Sequence, residues 1–115
     1  MNVFKEPSRP SFEKVGIAGR VFESTGLAPS AEFFTVETST GHETTIRQRE
    51  CDFFYHVLEG SGYFVIDGEK QSCTVGDLVV IPHGRWFRYE GAMKLFVASV
   101  PPWRADQEDT QENQG

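Results

Sequence analysis

The sequence contains few of the residues that mark secreted, disulfide-stapled or membrane-spanning proteins. It has 2 cysteines among 115 residues, and none of its apolar stretches is long. Crossing a bilayer takes roughly 20 consecutive apolar residues, and a signal peptide needs an apolar run that residues 1–10 lack. We therefore expect a cytoplasmic chain in which Cys51 and Cys73 remain reduced.

Basic residues are also in short supply. The chain has 11 Lys and Arg residues against 17 Asp and Glu residues, which gives a formal net charge of −6. A surface that binds nucleic acid or an anionic membrane needs a net basic footprint. The charge balance therefore excludes both as the main partner.

Amphipathic helical patterns are absent, and short strand-like segments take their place. Runs of aromatic and β-branched residues end at glycine, proline or aspartate, and about nine of them follow one another at intervals of about ten residues. This pattern predicts a single all-β domain, an antiparallel sandwich or barrel. The predicted strands cover residues 15–23, 32–37, 44–49, 53–58, 63–66, 71–75, 78–81, 86–89 and 93–100.

The two ends differ in composition from this central part. Residues 1–11 are polar with two prolines and predict an arm, whereas residues 12–103 carry the strand pattern. Residues 104–115 are almost wholly polar and acidic, and such a segment buries too little apolar surface to offset its ordering entropy. We expect this tail to be disordered.

Turn residues at regular spacing carry a family resemblance. Asp67-Gly68 predicts a tight hairpin, and Pro82-x-Gly84 ends a strand with a fixed φ followed by a permissive one. Together with the glycines of residues 57–62 and the pair at 76–77, these elements resemble the cupin superfamily over about residues 41–102. The resemblance implies an antiparallel jelly-roll barrel.

The resemblance also implies a metal site that this sequence does not keep. In the family, two histidines, a glutamate and a third histidine bind a transition metal inside the barrel. The two histidine positions correspond here to Arg47 and Arg49, or to Ile46 and Gln48 if the gap before the glutamate position is one residue longer. The glutamate and third histidine positions correspond to Phe53 and Phe87. Phenylalanine offers no donor atom, and arginine repels a cation, so we expect no metal and no cofactor.

Strand parity leaves two orientations open for the first of these segments. If Arg47 and Arg49 face inward, their guanidinium groups would suit a carboxylate or phosphate ligand, or would need an internal counter-ion. If Ile46 and Gln48 face inward instead, the cavity is apolar with Gln48 as its one polar group. The candidate counter-ions are Glu43, Glu50 and Asp52.

Aromatic residues predict the wall of a cavity. Phe53, Tyr55 and Phe87 would form an apolar pocket. Trp86 and Phe87 face opposite sides of their strand, so that one lines the pocket and the other packs outside. The alternative is a barrel filled by its own aromatic side chains. The candidate ligand-binding residues are therefore Arg47, Gln48, Arg49, Phe53, Tyr55, Trp86 and Phe87.

The three histidines lie outside the family's ligand positions. His42 falls in a turn, His56 on the strand face opposite to that of Phe53, and His83 in the Pro-x-Gly loop. We expect all three at the surface or in local hydrogen bonds, so a general base is not evident. The candidate acids are Tyr55, Tyr63 and Tyr89.

These observations favour a metal-free binder of a small organic ligand, which bears a carboxylate or phosphate if the arginines face inward. The alternative is a metal-independent isomerase, epimerase or cyclase acting on a sugar or small carbonyl compound, and a third is a metal-dependent cupin with substituted ligands. Neither the ligand nor an activity follows from the sequence. We also expect a homodimer, because exposed sheet edges invite pairing.

Overall fold

The computed structural model describes residues 2–42 and 44–112, and its regular structure is almost entirely β-strand. One turn of 3₁₀ helix, Ala105–Gln107, precedes the last strand. No helix in these ranges is long and apolar enough to cross a membrane. The strands are β1 (Phe12–Lys14), β2 (Ile17–Phe22), β3 (Glu32–Thr38), β4 (Thr44–Gln48), β5 (Asp52–Ile66), β6 (Glu69–Thr74), β7 (Leu78–Ile81), β8 (Trp86–Glu90), β9 (Met93–Val100) and β10 (Glu108–Glu112).

The long strand β5 joins two antiparallel sheets into a barrel. Its first half pairs with β9 and β7, and its second half pairs with β6 and β8. The strand order is β1-β2-β3-β9-β5-β7 in one sheet and β10-β4-β8-β5-β6 in the other, and β5 makes them continuous. This arrangement is an antiparallel jelly roll, and it confirms the predicted fold class.

Strand β5 replaces two strands that the sequence predicted separately, 53–58 and 63–66. The register with β9 shifts between Val57 and Glu59, so that the strand bends there instead of ending. Gly60 follows this shift with a φ of 80°. In the sequence, Gly60 indicated a turn between two strands. In the structure it lies at a bend within β5, and this bend lets β5 take part in both sheets.

The core lies between the sheets and consists of their inward-facing side chains. Phe64, Phe87 and Leu95 are fully buried within it. Cys51 and Cys73 are also buried, and both are free thiols. Their burial raises the pKa of each thiol, which disfavours the reactive thiolate.

The C-terminal segment is ordered where the sequence predicted disorder. After the 3₁₀ turn, β10 pairs with the edge of β4, with Glu108 opposite Gln48 and Asp109 opposite Arg47. The prediction of a disordered tail is therefore wrong for residues 105–112, and residues 113–115 lie outside the described part. Backbone pairing and ion pairs stabilise this polar segment, and composition alone does not reveal either.

The N-terminal arm has no regular structure over residues 2–10 but contacts the first sheet. The Thr35 hydroxyl donates a hydrogen bond to Glu6 Oε1 at 2.8 Å, and the Val21 backbone N–H donates to Ser11 Oγ at 2.9 Å. The arm is thus bound to its own chain at two points. The homodimer stays a prediction.

Gly41 brings the segment before β4 into close contact with β8. It has a φ of 107°, and a Cβ at this position would lie 2.1 Å from the Tyr89 carbonyl oxygen. The next residue, His42, donates its backbone N–H to the same oxygen at 3.0 Å. Only glycine permits this approach, so Gly41 determines where the His42 side chain begins.

Replacing Gly41 by alanine should destabilise the fold more than replacing Gly84 by alanine. Both glycines have positive φ, but a Cβ at Gly84 would meet no atom within 4 Å. The backbone conformation alone costs about 1–2 kcal/mol for alanine, and the clash at Gly41 should add about 1–3 kcal/mol. Urea denaturation of the two variants measures the difference. Equal losses of unfolding free energy would show that the approach at Gly41 is not a tight one.

Candidate ligand-binding cavity

A cavity of about 380 Å³ opens between the two sheets. Its volume lies in the range of small-molecule sites, so the aromatic side chains do not fill the barrel. Apolar side chains make up most of the wall, and the polar groups are few. Among the lining residues, the apolar ones include Ile17, Val21, Phe34, Val36, Ile46 and Phe53, and the polar or ionisable ones include Lys14, Glu32, His42, Tyr55, Tyr89 and Glu108.

Aromatic rings in mutual contact form the inner end of this cavity. The Tyr55 and Tyr89 ring centroids lie 5.6 Å apart, and the Phe53 ring lies 5.9 Å from that of Tyr55. Behind them, Phe87 packs 5.8 Å from Phe53, and Phe64 packs 5.2 Å from Tyr89. Tilted and edge-on packing at these distances fixes the ring orientations, so the two phenol groups are held in place by a rigid support.

His42 lies in the cavity wall against Tyr89, with ring centroids 3.9 Å apart. Burial and the nearby charge of Lys14 lower the pKa of His42 to about 3. The imidazole is therefore neutral at ordinary pH, with one nitrogen able to accept a proton. The expectation of a surface or locally hydrogen-bonded position did not include this place in the cavity wall, because Gly41 directs the segment onto β8 and no sequence periodicity signals that approach.

The two tyrosines are the other candidate reactive groups of the wall. Both are almost completely buried, with relative exposures of 4% for Tyr55 and 2% for Tyr89. Burial raises the pKa of Tyr89, and burial together with the charges of Tyr89 and Glu108 raises that of Tyr55. Both phenols therefore stay protonated and act as hydrogen-bond donors.

Strand β4 turns Ile46 and Gln48 inward and both arginines outward. The Arg47 Nη2 atom lies 2.8 Å from Asp109 Oδ2, and Arg49 Nη1 lies 2.5 Å from Asp109 Oδ1. The hydrogen bond from Arg47, with the charges of both arginines, lowers the pKa of the Asp109 carboxyl. Of the two orientations that the sequence left open, the structure therefore has the second: the guanidinium groups lie outside the cavity and attach β10 to the outside of the barrel.

The predicted counter-ions lie elsewhere. Glu50 is exposed, and Asp52 accepts a hydrogen bond from the His83 backbone N–H at 2.8 Å, which lowers the pKa of its carboxyl. Glu43 lies outside the described residues. The counter-ion is Asp109, which the sequence analysis had assigned to a disordered tail.

Two of the seven predicted ligand-binding residues, Phe53 and Tyr55, line the cavity. Phe87 supports the wall from behind. Trp86 faces outward, where the Arg47 guanidinium stacks on its ring at 4.6 Å. Gln48 is buried, but its side-chain nitrogen donates to the Arg104 carbonyl oxygen at 3.1 Å, which places it under the C-terminal segment. Lys14, Glu32, His42 and Glu108 also line the cavity but were not predicted as ligand-binding residues, and Tyr89 was predicted only as a candidate acid.

The cavity residues do not fit the metal site of the family. Of the residues considered for the family's ligand positions, Ile46, Gln48, Phe53 and Phe87 face inward, and only glutamine among them has a donor atom, whereas Arg47 and Arg49 face outward. Within residues 2–42 and 44–112, no group of three or more His, Cys, Asp or Glu side chains is placed to hold a metal ion. His56 is exposed on β5, on the face away from the cavity.

Comparison with known proteins adds a family and several structural neighbours. Residues 32–98 match the model of the Cupin domain family (Cupin_2), whereas no curated protein sequence matches. Pac13, named a unique nucleoside dehydratase, is 23% identical with a TM-score of 0.87, over 98% of this chain and 94% of its own. KdgF from Halomonas sp. is 21% identical with a TM-score of 0.70, over 84% of this chain and 88% of its own. These likenesses show a shared fold.

Structures of Streptomyces PAC13 variants with uridine are also similar. The H42Q variant has a TM-score of 0.89 at 21% identity, over 100% of this chain and 94% of its own. The other two variants carry the substitutions Y55F and Y89F. This chain has histidine, tyrosine and tyrosine at the same three numbers.

Replacing His42 by glutamine should weaken the dependence of stability on pH. The pKa of His42 rises from about 3 in the folded state to 6.5 when it is exposed, so between these values the unfolded state binds more protons. Stability therefore falls as pH falls through this window, by up to about 1.4 kcal/mol per pH unit. His42→Gln removes this contribution. Urea denaturation between pH 7 and pH 4 measures it.

The control is His56→Gln, which removes an exposed histidine on β5. It should keep the wild-type slope of unfolding free energy against pH. If His42→Gln keeps that slope as well, the imidazole is not held neutral in the folded protein.

Proposed function

Because the chain belongs to the cupin family, we propose that it is a metal-independent member that binds a nucleoside in the barrel cavity and eliminates water from it. One observation carries the proposal: His42, Tyr55 and Tyr89 meet in one wall of an otherwise apolar cavity. A structural neighbour named a nucleoside dehydratase, and its uridine-bound variants substituted at residues of the same types, support this choice of ligand and reaction.

The cavity suits a ligand with one flat ring and several hydroxyl groups. Its volume of about 380 Å³ is within the range for small-molecule sites. The rings of Phe53, Tyr55 and Tyr89 offer faces and edges on which a nucleobase can pack, while the phenol groups and His42 offer polar contacts for a sugar. Few polar groups in an apolar wall fix the orientation of such a ligand.

His42 is the proposed general base. Elimination begins when its neutral nitrogen takes a proton from a carbon that a neighbouring carbonyl group makes acidic. The electron pair of the broken C–H bond then forms a C=C bond, and the C–O bond at the next carbon breaks. The leaving hydroxyl takes the proton back from the imidazolium of His42, so one water is released with no oxidant or reductant.

The tyrosines are the proposed donors to the developing negative charge. The raised pKa values of Tyr55 and Tyr89 keep both phenols protonated, so they donate hydrogen bonds and do not transfer their protons. Their rings are fixed by Phe53, Phe64 and Phe87. Donors that are oriented before the reaction stabilise charge without reorganisation, which is the larger part of many enzymatic rate enhancements.

Uridine should bind to the purified protein, and His42→Gln should remove turnover while leaving binding within a few fold. Loss of a general base lowers kcat by about 10²–10⁴ fold. Tyr55→Phe or Tyr89→Phe should weaken uridine binding roughly fivefold, the value of one hydrogen bond of about 1 kcal/mol. Isothermal titration measures binding, and mass spectrometry measures loss of one water from uridine derivatives that carry a carbonyl group on the ribose.

The matched control is Tyr63→Phe. Tyr63 lies away from the cavity, where the Lys70 ammonium packs over its ring at 4.1 Å, so both uridine binding and turnover should be unchanged. If uridine binds but none of the tested derivatives loses water, the result would contradict the dehydratase activity and support a metal-free binding protein. Absence of uridine binding would contradict the nucleoside ligand.

A further inference from the structure

The ionisable residues that line the cavity give it an excess of negative charge. Among the described residues, the lining contains two carboxyl groups, Glu32 and Glu108, and one ammonium group, Lys14. His42 adds no charge, because burial and Lys14 lower its pKa. Both carboxyl groups are half-buried, whereas Lys14 is exposed on β1. Solvent therefore screens the positive charge more than the negative ones.

The register of β10 places Glu108 in the cavity. Successive side chains of a strand point to opposite faces. Glu108 lies opposite the buried Gln48, and Asp109 lies opposite Arg47. The two ion pairs of Asp109 with Arg47 and Arg49 on the outside therefore fix the strand so that Glu108 faces inward.

A hydrogen bond orients the Glu108 carboxylate, and its negative charge affects Tyr55 in the cavity wall. Its Oε1 atom accepts a hydrogen bond from Trp103 Nε1 at 3.1 Å, and both residues line the cavity. Its charge contributes to the raised pKa of Tyr55. A negative charge that disfavours the Tyr55 phenolate also disfavours an anionic group of a ligand bound beside it.

We propose that Glu108 is a specificity-determining residue, which makes the cavity accept a neutral ligand and reject its phosphorylated or carboxylated form. This inference rests on the proposed function for the identity of the ligand, an unphosphorylated nucleoside. One of the two alternatives left open by the sequence was the opposite, an anion pocket built on Arg47 and Arg49, but both arginines are paired with Asp109 on the outside. The cavity is anionic and not cationic because β4 directs both arginines outward and β10 directs Glu108 inward.

The test compares uridine with uridine 5′-monophosphate by isothermal titration in the wild type and in Glu108→Gln. The wild type should bind the monophosphate at least about tenfold more weakly than uridine at low salt, as expected for like charges in a partly desolvated site. Glu108→Gln keeps an oxygen acceptor for Trp103, and it should reduce this ratio at least about threefold by tightening binding of the monophosphate.

Glu112→Gln is the control for net charge, because Glu112 is exposed on the same strand and does not line the cavity. It should leave the ratio at the wild-type value. An unchanged ratio in Glu108→Gln would overturn the proposal and indicate exclusion by size. Equal binding of both ligands by the wild type would overturn it as well.

A second pair of probes separates this inference from the proposed function. The neutral p-cresol and the anionic 4-hydroxybenzoate share one ring, and chemical-shift changes at Tyr55 and Tyr89 report their entry into the cavity. If uridine does not bind but p-cresol is preferred over 4-hydroxybenzoate and Glu108→Gln removes the preference, the nucleoside fails and the charge selectivity stands. If the two probes bind equally, the charge selectivity fails whatever uridine does.

Discussion

The orientation of β4 determines the chemistry of the cavity. A strand has two faces, and its side chains exchange faces together if the register shifts by one residue. Because Ile46 is directed inward, Arg47 and Arg49 are directed outward, where they bind Asp109. That contact holds β10 against β4, and the alternation along β10 then directs Glu108 inward. The inward orientation of Ile46 thus places two cations outside the barrel and one anion inside it.

The fold could be predicted from the sequence because local residues specify it. The turn at Asp67-Gly68 and the strand end at Pro82-x-Gly84 act within a few residues, and alternation marks most of the strands between such points. The cavity could be predicted only in part. Phe53 and Tyr55 lie on a strand with clear alternation, but the β4 segment carries isoleucine on one face and arginine on the other, and neither pattern decides which face is inside. Both arginines pair with Asp109, which lies 60 residues after Arg49, so the local pattern of β4 does not reveal this partner.

The position of His42 in the cavity wall could not be predicted from sequence patterns, for a different reason. This residue belongs to no strand, and its place in the wall depends on the close approach of Gly41 to the backbone of Tyr89 and Glu90. Such a contact joins residues that are far apart in the chain and leaves no periodic signal. The residues around His42 indicate a turn in the sequence, but they do not indicate what the turn packs against.

The loss of the family's metal positions is coupled to the properties of the remaining groups. Phe53 and Phe87 fill space that ligands would need, and their rings desolvate the wall in which His42 and the two tyrosines lie. Desolvation lowers the pKa of an imidazole and raises that of a phenol. The same aromatic residues therefore favour a neutral His42 and protonated phenols. A metal cation in that position would lower the pKa of the phenols, so the aromatic wall, and not a cation, accounts for an imidazole and two phenols that are all uncharged.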